Sequence, residues 1–454
     1  MIPLHITLMQ WQRIAPLIKI LSCLLCTFTT LILPAYGGIA LMITATITVF
    51  TANHLFTVIL GLLNVSLAIA FDYFLRAHPN GFEFYRQNSI SASHLLITTT
   101  ILYLAILIID GVKHGGRAKI RIEIKMPRIS RLLFYPLLFS VIWCIYFVTT
   151  NGSNIFSRSF SLDELAKFPF LEYFSIVVIF LILAAKQAES NRKLYAAVFL
   201  SAALVTVLLL SSYRMVAVIT TLALIISLKN NSTITRSHIL LLWLIAYPGL
   251  AAISYYRQGV FDISLANIFG YQNGFLDNTF TGVIETALIY ISTSAQHDAN
   301  DTIRLLAGVL APLPNTLIPD SFLYHIDVYE RYRGRIPGGG LLSGFIVYFD
   351  YLLAPFVILY IYFSCKRANH GIITGAMYII STITITRWWL YGPYVLFKFF
   401  GFFLALTVVN KVLLLIEKNP GRKHAHREQS SRNSQKTRRV RRVKSPWMGK
   451  GKAL

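Results

Sequence analysis

The sequence predicts an all-α polytopic integral membrane protein with about twelve transmembrane helices, by the rule that roughly 20 apolar residues cross a bilayer. Three observations support this fold class. Hydrophobic residues make up 55% of the 454-residue chain. Charged residues make up only 13%, against about 25% in soluble domains. The apolar residues are also gathered into separate runs that short polar connections divide, as expected for successive membrane spans.

The apolar runs divide the chain into four regions. These are an N-terminal bundle of about nine spans (1–254), a large outer segment (255–340), three C-terminal spans (341–416) and a basic tail (417–454). The break at 50–54 is weak, so the second and third spans can also be drawn differently. The predicted spans are Ala15–Leu33, Gly37–Phe50, Leu55–Leu75, Leu95–Asp110, Leu132–Thr149, Leu171–Ala185, Leu194–Leu210, Met215–Leu228, Ile239–Ser254, Leu341–Phe363, Ile372–Ile385 and Tyr394–Ile416.

The orientation follows from the distribution of lysine and arginine. The connection after the fourth span is rich in both, and the positive-inside rule places it in the cytoplasm. Alternation from this connection puts 186–193, 229–236, 366–367 and the basic tail on the same side. Both termini are therefore predicted to be cytoplasmic. The basic residues of the connection are Lys113, Arg117, Lys119, Arg121, Lys125, Arg128 and Arg131.

The tail after Glu417 contributes a large share of the net charge of +23. A run such as Arg438–Arg442 could indicate nucleic-acid binding. Because the tail follows a span directly, we favour a disordered cytoplasmic segment that lies on anionic lipid. The sequence therefore predicts membrane lipids, and no nucleic acid, as the partner of the tail.

The outer segment contains features that predict an anion-binding site. Gly282–Ser292 and Ile303–Ala311 are predicted as short helices, and an arginine cluster follows them. Arginine keeps its charge when partly buried and binds phosphate through two parallel hydrogen bonds. Glycines at a helix start let backbone N–H groups approach an anion. Alternatively, these arginines contact lipid headgroups or pair with Asp327 and Glu330. The cluster and its glycines are Arg331, Arg333, Arg335, Gly338, Gly339 and Gly340.

Arg214, Arg257 and Arg387 each lie at the outer membrane boundary. Basic residues are disfavoured on this side, so each of them needs a physical reason. One reason is interfacial anchoring among tyrosine and tryptophan side chains. Since three such arginines accompany the cluster in the outer segment, we instead expect a shared anionic ligand that faces outward.

Several common catalytic signatures are missing from the sequence. It has no Walker A, DxD, HExxH or GxSxG motif, which argues against ATP hydrolysis and against metal-dependent transfer from a nucleotide sugar. One DxxD, Asp298–Asp301, is a weak signal for magnesium pyrophosphate. Charged residues are nearly missing from the predicted spans, since Asp72, Asp110 and Asp350 lie near span ends. This scarcity argues against an ion-coupled transporter. We predict no metal and no cofactor.

The layout resembles the O-antigen polymerase family, the Wzy-type oligosaccharide repeat-unit polymerases of bacterial surface glycans. Members have about a dozen spans and a large periplasmic loop in the second half of the chain. The run Ser211-Ser212-Tyr213-Arg214, the arginine after the ninth span and the arginine between the last spans are similar to arginines of the family. Asp301–Pro319 and Pro337–Ser343 are similar to the Pro-containing end of its loop.

The resemblance implies a metal-independent glycosyltransferase of the bacterial inner membrane. Its substrates would be glycans on undecaprenyl pyrophosphate, and its partners would include the flippase and chain-length regulator of the same pathway. Arg214, Arg257 and Arg387 would stabilise the lipid pyrophosphate as it leaves. His325, Glu330 and Asp320 are candidates for the general base. The residues expected to position or stack on the substrate are Arg333, Arg335, Gly338, Gly339, Gly340, Tyr324, Tyr329 and Tyr332.

Three alternatives stay open at this point. A lipid-linked oligosaccharide flippase would need polar groups inside the bundle. An O-antigen ligase would share the layout but transfer finished glycan to another acceptor. A non-catalytic scaffold of the assembly complex would tolerate the loss of every outer arginine.

Overall fold

A computed structural model describes residues 8–77, 92–111, 119–151, 169–211, 213–257, 279–293, 340–348, 351 and 353–418. Long helices dominate this part of the chain, and one two-stranded antiparallel sheet accompanies them. The elements are α1 Leu8–Ile32, α2 Gly37–Thr51, α3 Leu55–Ala77, α4 Ala92–Asp110, β1 Lys119–Ile122, α5 Phe134–Asn151, α6 Phe174–Gln187, α7 Asn191–Leu210, α8 Arg214–Lys229, β2 Ser232–Thr235, α9 Arg236–Arg257, α10 Thr279–Thr293, α11 Leu342–Tyr348, α12 Ala354–Arg367, α13 Ile372–Ile383, α14 Ile385–Tyr391 and α15 Tyr394–Lys418.

Within the described residues, eight helical stretches are long and apolar enough to cross a membrane. They show that the chain is a helical, membrane-embedded protein, while the full number of twelve spans stays a prediction. The candidate spans are Ile14–Ile32, Pro34–Thr51, Leu55–Arg76, Ala92–Asp110, Arg131–Thr150, Phe170–Gln187, Asn191–Leu210 and Val395–Glu417.

Burial separates a central helix from the helices that face lipid. Helix α6 is buried on every side from Phe174 to Ala185, which is typical of a helix that is apolar all round. It packs against α5, α7 and α8. By contrast, Phe28, Phe139, Phe199 and Leu415 are exposed. An apolar surface of this kind is stable against acyl chains and would aggregate in water.

The basic connections meet at one end of the bundle, which we call the basic end. Strands β1 and β2 pair there, with Lys119 opposite Thr235. The Lys125 backbone N–H donates to the Ala368 carbonyl at 3.1 Å. Lys186 Nζ donates to the Ser227 carbonyl at 2.8 Å. All these connections therefore share one end, as the alternation of spans predicts. That this end is cytoplasmic stays a prediction of the positive-inside rule.

The turn between α2 and α3 is held at the basic end by a buried carboxylate. Asp110, the last residue of α4, accepts hydrogen bonds from the backbone N–H groups of Asn53 at 2.9 Å and His54 at 3.0 Å. It also accepts from the Thr57 hydroxyl at 2.8 Å and from Lys19 Nζ at 2.6 Å. Asp110 thus caps the N-terminus of α3, where a negative charge is favourable.

A buried arginine caps the other side of the same turn. Arg236 donates to the carbonyl groups of Val49 at 2.9 Å and Ala52 at 2.6 Å. A cation is favourable at the carbonyl end of a helix. The chain therefore does break here, and the second and third predicted spans are separate helices.

The Lys19–Asp110 pair corrects one sequence-based expectation. Lys19 lies inside the first predicted span, and both side chains are 0% exposed. The expectation that charged groups are nearly missing from the spans is therefore wrong at this point. The local sequence does not reveal this pair, because its two residues are 91 positions apart and become neighbours only when α1 packs on α4.

The last part of the chain contains shorter helices than predicted. The predicted span Leu341–Phe363 is divided into α11 and α12, and Tyr351 between them has a φ of 65°. Pro355 is consistent with the restart, because it lies in the first turn of α12, where a missing backbone N–H costs no helical hydrogen bond. The predicted span Ile372–Ile385 is likewise divided at Thr384 into α13 and α14.

Replacing Gly38 by alanine is expected to destabilise the contact between α2 and α3. A Cβ atom there would lie 2.6 Å from the Asp72 Cα atom, which is backbone and cannot move aside. We expect the free energy of unfolding to fall by roughly 1–3 kcal/mol, measured by thermal unfolding in detergent. The matched control is Gly249→Ala, because that helical glycine has nothing within 4 Å and alanine should gain about 1 kcal/mol. Equal effects of the two substitutions would contradict the prediction.

Candidate functional site

Two of the three boundary arginines lie at the end of the bundle opposite the basic end. Arg214 is the first residue of α8, and Lys229 at the other end of α8 leads into β2. The 16-residue helix is about 24 Å long, so it carries Arg214 away from the sheet. Arg387 lies in α14, and α13 before it begins at the basic end, where Gly375 lies beside the Lys125 carbonyl. We call this opposite end the arginine end.

Arg387 contacts an acidic residue that the sequence analysis did not consider. Its guanidinium group pairs with the carboxylate of Glu172. Glu172 belongs to a short 3-10 turn, Pro169–Tyr173, that leads into the buried helix α6. The two side chains are 21% and 23% exposed, so solvent reaches the pair and only partly screens it.

Tyr391 links Arg387 to Arg214. The Arg387 guanidinium carbon lies 4.9 Å from the centroid of the Tyr391 ring, which is a favourable cation–π distance. Burial lowers the pKa of the Arg214 guanidinium, and an electrostatic interaction with Tyr391 opposes this effect. Arginine nevertheless stays protonated in proteins. We call the group formed by Arg214, Arg387, Glu172 and Tyr391 the arginine site.

Buried hydrogen bonds fix the helix that carries Arg387. The indole N–H of Trp388 donates to the Ser381 carbonyl at 2.8 Å. The indole N–H of Trp389 donates to the Asn64 side-chain oxygen in α3 at 3.0 Å. Both indoles are buried, so α14 cannot rotate without losing these bonds. Arg387 is therefore presented from a rigid helical turn rather than from a loop.

Glycine ends this helix and allows a close contact. Gly392 has a φ of +115°, and a Cβ atom there would lie 2.7 Å from the Phe345 ring. Phe345 belongs to α11, which packs against α4, α10 and α14. The broken C-terminal helices thus meet beside the arginine site. In a membrane protein, helix breaks of this kind are tolerated where protein buries them or where they line a water-filled cavity.

The arginine site as described contains none of the other predicted site residues. Arg257 is the last residue of α9, at the opposite end of that helix from Arg236. Gly340 is buried and lies two residues before the start of α11. The remaining predicted residues are outside the described part of the chain, as are Asp301–Pro319 and the basic tail. They are Asp320, Tyr324, His325, Tyr329, Glu330, Arg331, Tyr332, Arg333, Arg335, Gly338 and Gly339.

The outer segment contributes one described helix to this region. The predicted helix Gly282–Ser292 is present as α10, Thr279–Thr293, and it packs against α3, α4, α11 and α14. Gly344 of α11 makes the contact possible, since its Cβ position lies 2.8 Å from Ala287 Cβ. The segment therefore folds against the bundle at this point.

Glu285 makes the stability of this contact depend on pH. Burial raises the pKa of the Glu285 carboxyl above its ordinary value. The protonated form therefore favours the fold, and this stability is lost as pH rises through the raised pKa. We expect Glu285→Gln to match the wild-type melting temperature near pH ~4 and to exceed it near pH ~8. The exposed Glu123→Gln is the control, and a constant difference across this pH range would contradict the prediction.

Two members of the site were missed by sequence reasoning, and both had a visible signal. Glu172 is an acid at the start of the sixth predicted span, at the same boundary as the arginines. Tyr391 follows Arg387 by four residues, the spacing that brings two side chains together on one helix face. Among the described residues, no group of three or more His, Cys, Asp or Glu side chains is placed to hold a metal ion.

Comparison with known proteins adds no relative to this picture. No family model matches the chain, and neither a curated protein nor a solved structure matches it.

Proposed function

We propose that the chain is a membrane glycosyltransferase that polymerises oligosaccharide repeat units carried on undecaprenyl pyrophosphate. The donor is a growing glycan on the lipid pyrophosphate, and the acceptor is a sugar hydroxyl of the next lipid-linked unit. The product is a surface polysaccharide such as an O-antigen, a capsule or an exopolysaccharide. The reaction takes place at the arginine end, which we assign to the periplasmic face of a bacterial inner membrane.

The proposal is supported by Arg387, which contacts the Tyr391 ring, and by Arg214, which begins the neighbouring helix α8 and interacts electrostatically with the same tyrosine, at the end remote from the basic connections. They are far apart in sequence, and each is disfavoured at that boundary unless it has a specific partner. Two guanidinium groups beside one ring suit a ligand with more than one negative charge. A lipid pyrophosphate at the membrane surface is a ligand of this kind.

The chemistry assigned to this site is stabilisation of a leaving group. The acceptor hydroxyl attacks the anomeric carbon of the donor sugar, and the bond from that carbon to the pyrophosphate oxygen breaks. The negative charge that develops on the pyrophosphate is stabilised by fixed guanidinium groups, which do not need to reorganise. The hydroxyl proton goes to a base, for which His325 and Glu330 stay our candidates. Arg257, Arg335 and Gly338–Gly340 complete the proposed substrate site.

A transporter of the same lipid-linked substrate is the second candidate. It is favoured by the polar groups inside the bundle, namely Lys19, Asp110, Asn64 and Tyr103, all of which are buried. However, Asp110 is saturated by five hydrogen bonds from Lys19, Asn53, His54 and Thr57. A carboxylate held in this way has a structural role that needs no transported ion. We therefore prefer the polymerase, and an O-antigen ligase stays the alternative within the enzymes.

A deletion of the gene in its host separates these functions. If the chain is the polymerase, deletion collapses the surface polysaccharide from a ladder to single repeat units, and the wild-type gene restores the ladder. Loss of all surface glycan, single units included, would instead indicate export or ligation. Gel analysis of extracted polysaccharide distinguishes the two outcomes, with membrane levels of the protein checked by immunoblot.

A further inference from the structure

We propose that Glu172 is the resting counter-ion of the arginine site and that a phosphate group of the ligand displaces it from Arg387. The inference rests on the proposed function in that it takes the ligand to be a phosphate-bearing anion at this site. It adds one residue and one binding step to the proposed function. No covalent step is involved, because one anionic partner of Arg387 replaces another.

The geometry of the pair supports an exchangeable partner. Arg387 and Glu172 come from separate helices 215 residues apart in sequence. The helix that carries Arg387 is fixed by the neighbouring Trp388 and Trp389 hydrogen bonds, and the guanidinium group also contacts the Tyr391 ring. Glu172 projects from a short 3-10 turn, and its side chain can leave by rotation about its own bonds. The fixed cation and the rotatable anion make Glu172 the partner that moves.

The chemistry of the two anions is similar enough for exchange. Arginine presents its N–H groups to a carboxylate and to a phosphate in the same forked geometry. Without any partner, a guanidinium with 21% exposure would bear a large desolvation cost. Glu172 removes this cost while the site is empty. When a ligand binds, Arg387 exchanges the carboxylate oxygens of Glu172 for phosphate oxygens of the ligand.

The charge balance favours the ligand over Glu172. Among the described residues, the site brings together the guanidinium groups of Arg214 and Arg387 and the carboxylate of Glu172. A pyrophosphate carries more than one negative charge and can contact Arg214 and Arg387 together. Glu172 carries a single charge and pairs with Arg387. A multiply charged anion therefore gains the interaction that Glu172 gives up and adds a second one.

Removing the charge of Glu172 should change anion binding in opposite directions under this proposal and under a purely structural role of the ion pair. If Glu172 competes with the ligand, removal of its charge strengthens anion binding. If the pair only fastens α14 to the turn before α6, removal of the charge disorders the site and weakens anion binding. The amide in Glu172→Gln keeps the size of the side chain, so it tests the charge with little change in packing.

The experiment measures binding of inorganic pyrophosphate to the full chain in phosphatidylcholine nanodiscs. We expect the dissociation constant of Glu172→Gln to be about tenfold lower than that of the wild type, equivalent to removing a competitor worth ~1.4 kcal/mol. Arg387→Gln should bind more weakly than the wild type. The double variant should bind like Arg387→Gln, because the effect of Glu172 acts through Arg387.

Two results would overturn the inference. One is weaker or unchanged binding by a folded Glu172→Gln variant. The other is an equal gain from this substitution in the Arg387→Gln background, which would indicate a general charge effect. Thermal unfolding establishes that each variant is folded. Should Glu172→Gln unfold, Glu172→Asp replaces it, since the shortened carboxylate weakens the pair and should give a smaller gain of the same sign.

A competition assay distinguishes the possible sources of the phosphate. Undecaprenyl pyrophosphate or phosphatidylglycerol is added to the nanodiscs, and displacement of pyrophosphate is measured. Displacement by undecaprenyl pyrophosphate alone supports a lipid-diphosphate ligand. Displacement by phosphatidylglycerol alone would show that the site binds ordinary lipid headgroups, and it would overturn the inference. The polysaccharide ladder is scored separately. If the binding data fit the counter-ion role but the polysaccharide ladder does not change, the proposed function is wrong and the role of Glu172 stands.

Discussion

Replacing Arg387 by alanine is expected to lower the rate of glycan polymerisation by about 100-fold or more, the effect of removing one fixed donor from a developing negative charge. Arg214→Ala should have a comparable effect, because Arg214 begins helix α8, which packs against α14, and interacts electrostatically with Tyr391. Arg387→Lys should recover only part of the loss, since lysine keeps the charge but lacks the planar fork. The measurement is the initial rate of ladder formation by purified protein supplied with lipid-linked repeat units.

Arg76→Ala is the matched control for these variants. Arg76 lies in the last turn of α3, whose first turn is at the basic end, so it shares the arginine end with Arg387. Its side chain is 49% exposed and pairs with Asp72 at 3.0 Å, an exposed contact of small energetic value. We expect polymerisation at the wild-type rate. Wild-type rates in the Arg214 and Arg387 variants as well would show that these arginines only anchor their helices at the membrane interface.

The second large effect is expected on stability, from Asp110→Ala. This substitution leaves the Lys19 ammonium group without its 2.6 Å partner in a fully buried site. It also removes the acceptor for the first N–H groups of α3. Breaking one side of a buried pair costs roughly 3–5 kcal/mol, so the melting temperature in detergent should fall far below that of the wild type.

Two further variants separate the effect of the buried charge on stability from the effect of the helix cap. Lys19→Met leaves the Asp110 carboxylate buried without its cation and should also destabilise strongly. The double variant Lys19→Met with Asp110→Asn removes both charges but keeps a side-chain oxygen that caps α3. It should be more stable than Lys19→Met alone, and the opposite order would contradict this account. Glu123→Ala is the control, since the Glu123–Arg121 pair is exposed and contributes little.

The helices are the part of the fold that local sequence predicts best. The predicted spans Gly37–Phe50, Leu55–Leu75 and Leu194–Leu210 correspond to α2, α3 and α7 with small differences at the ends. A run of apolar residues is sufficient here, because only a helix satisfies its own backbone groups within lipid. The short helix α10 was predicted from its apolar residues, as a helix of the outer segment. The break at Tyr351 was not predicted, although Asp350 and Pro355 on either side of it interrupt the apolar run. The start of α14 at Ile385 coincides with the end of the predicted span Ile372–Ile385.

The candidate site was predicted in part. Position at a disfavoured boundary was enough to select Arg214 and Arg387. The Glu172–Arg387 pair and the interaction of Arg214 with Tyr391 needed the packing of the turn before α6, α8 and α14, because a pairing across 215 residues leaves no local pattern. The same applies to Lys19 and Asp110, which are 91 residues apart.

By itself, the sequence determined that this chain lies in a membrane as a set of helices, and it selected the arginines that we propose to bind an anion. Those properties depend on local composition, which governs transfer from water into lipid. The tertiary structure decided which helices are neighbours, and therefore which buried charge meets which partner. Ion pairs and helix caps depend on distances of a few ångströms between remote segments, and such distances are set only when the helices pack.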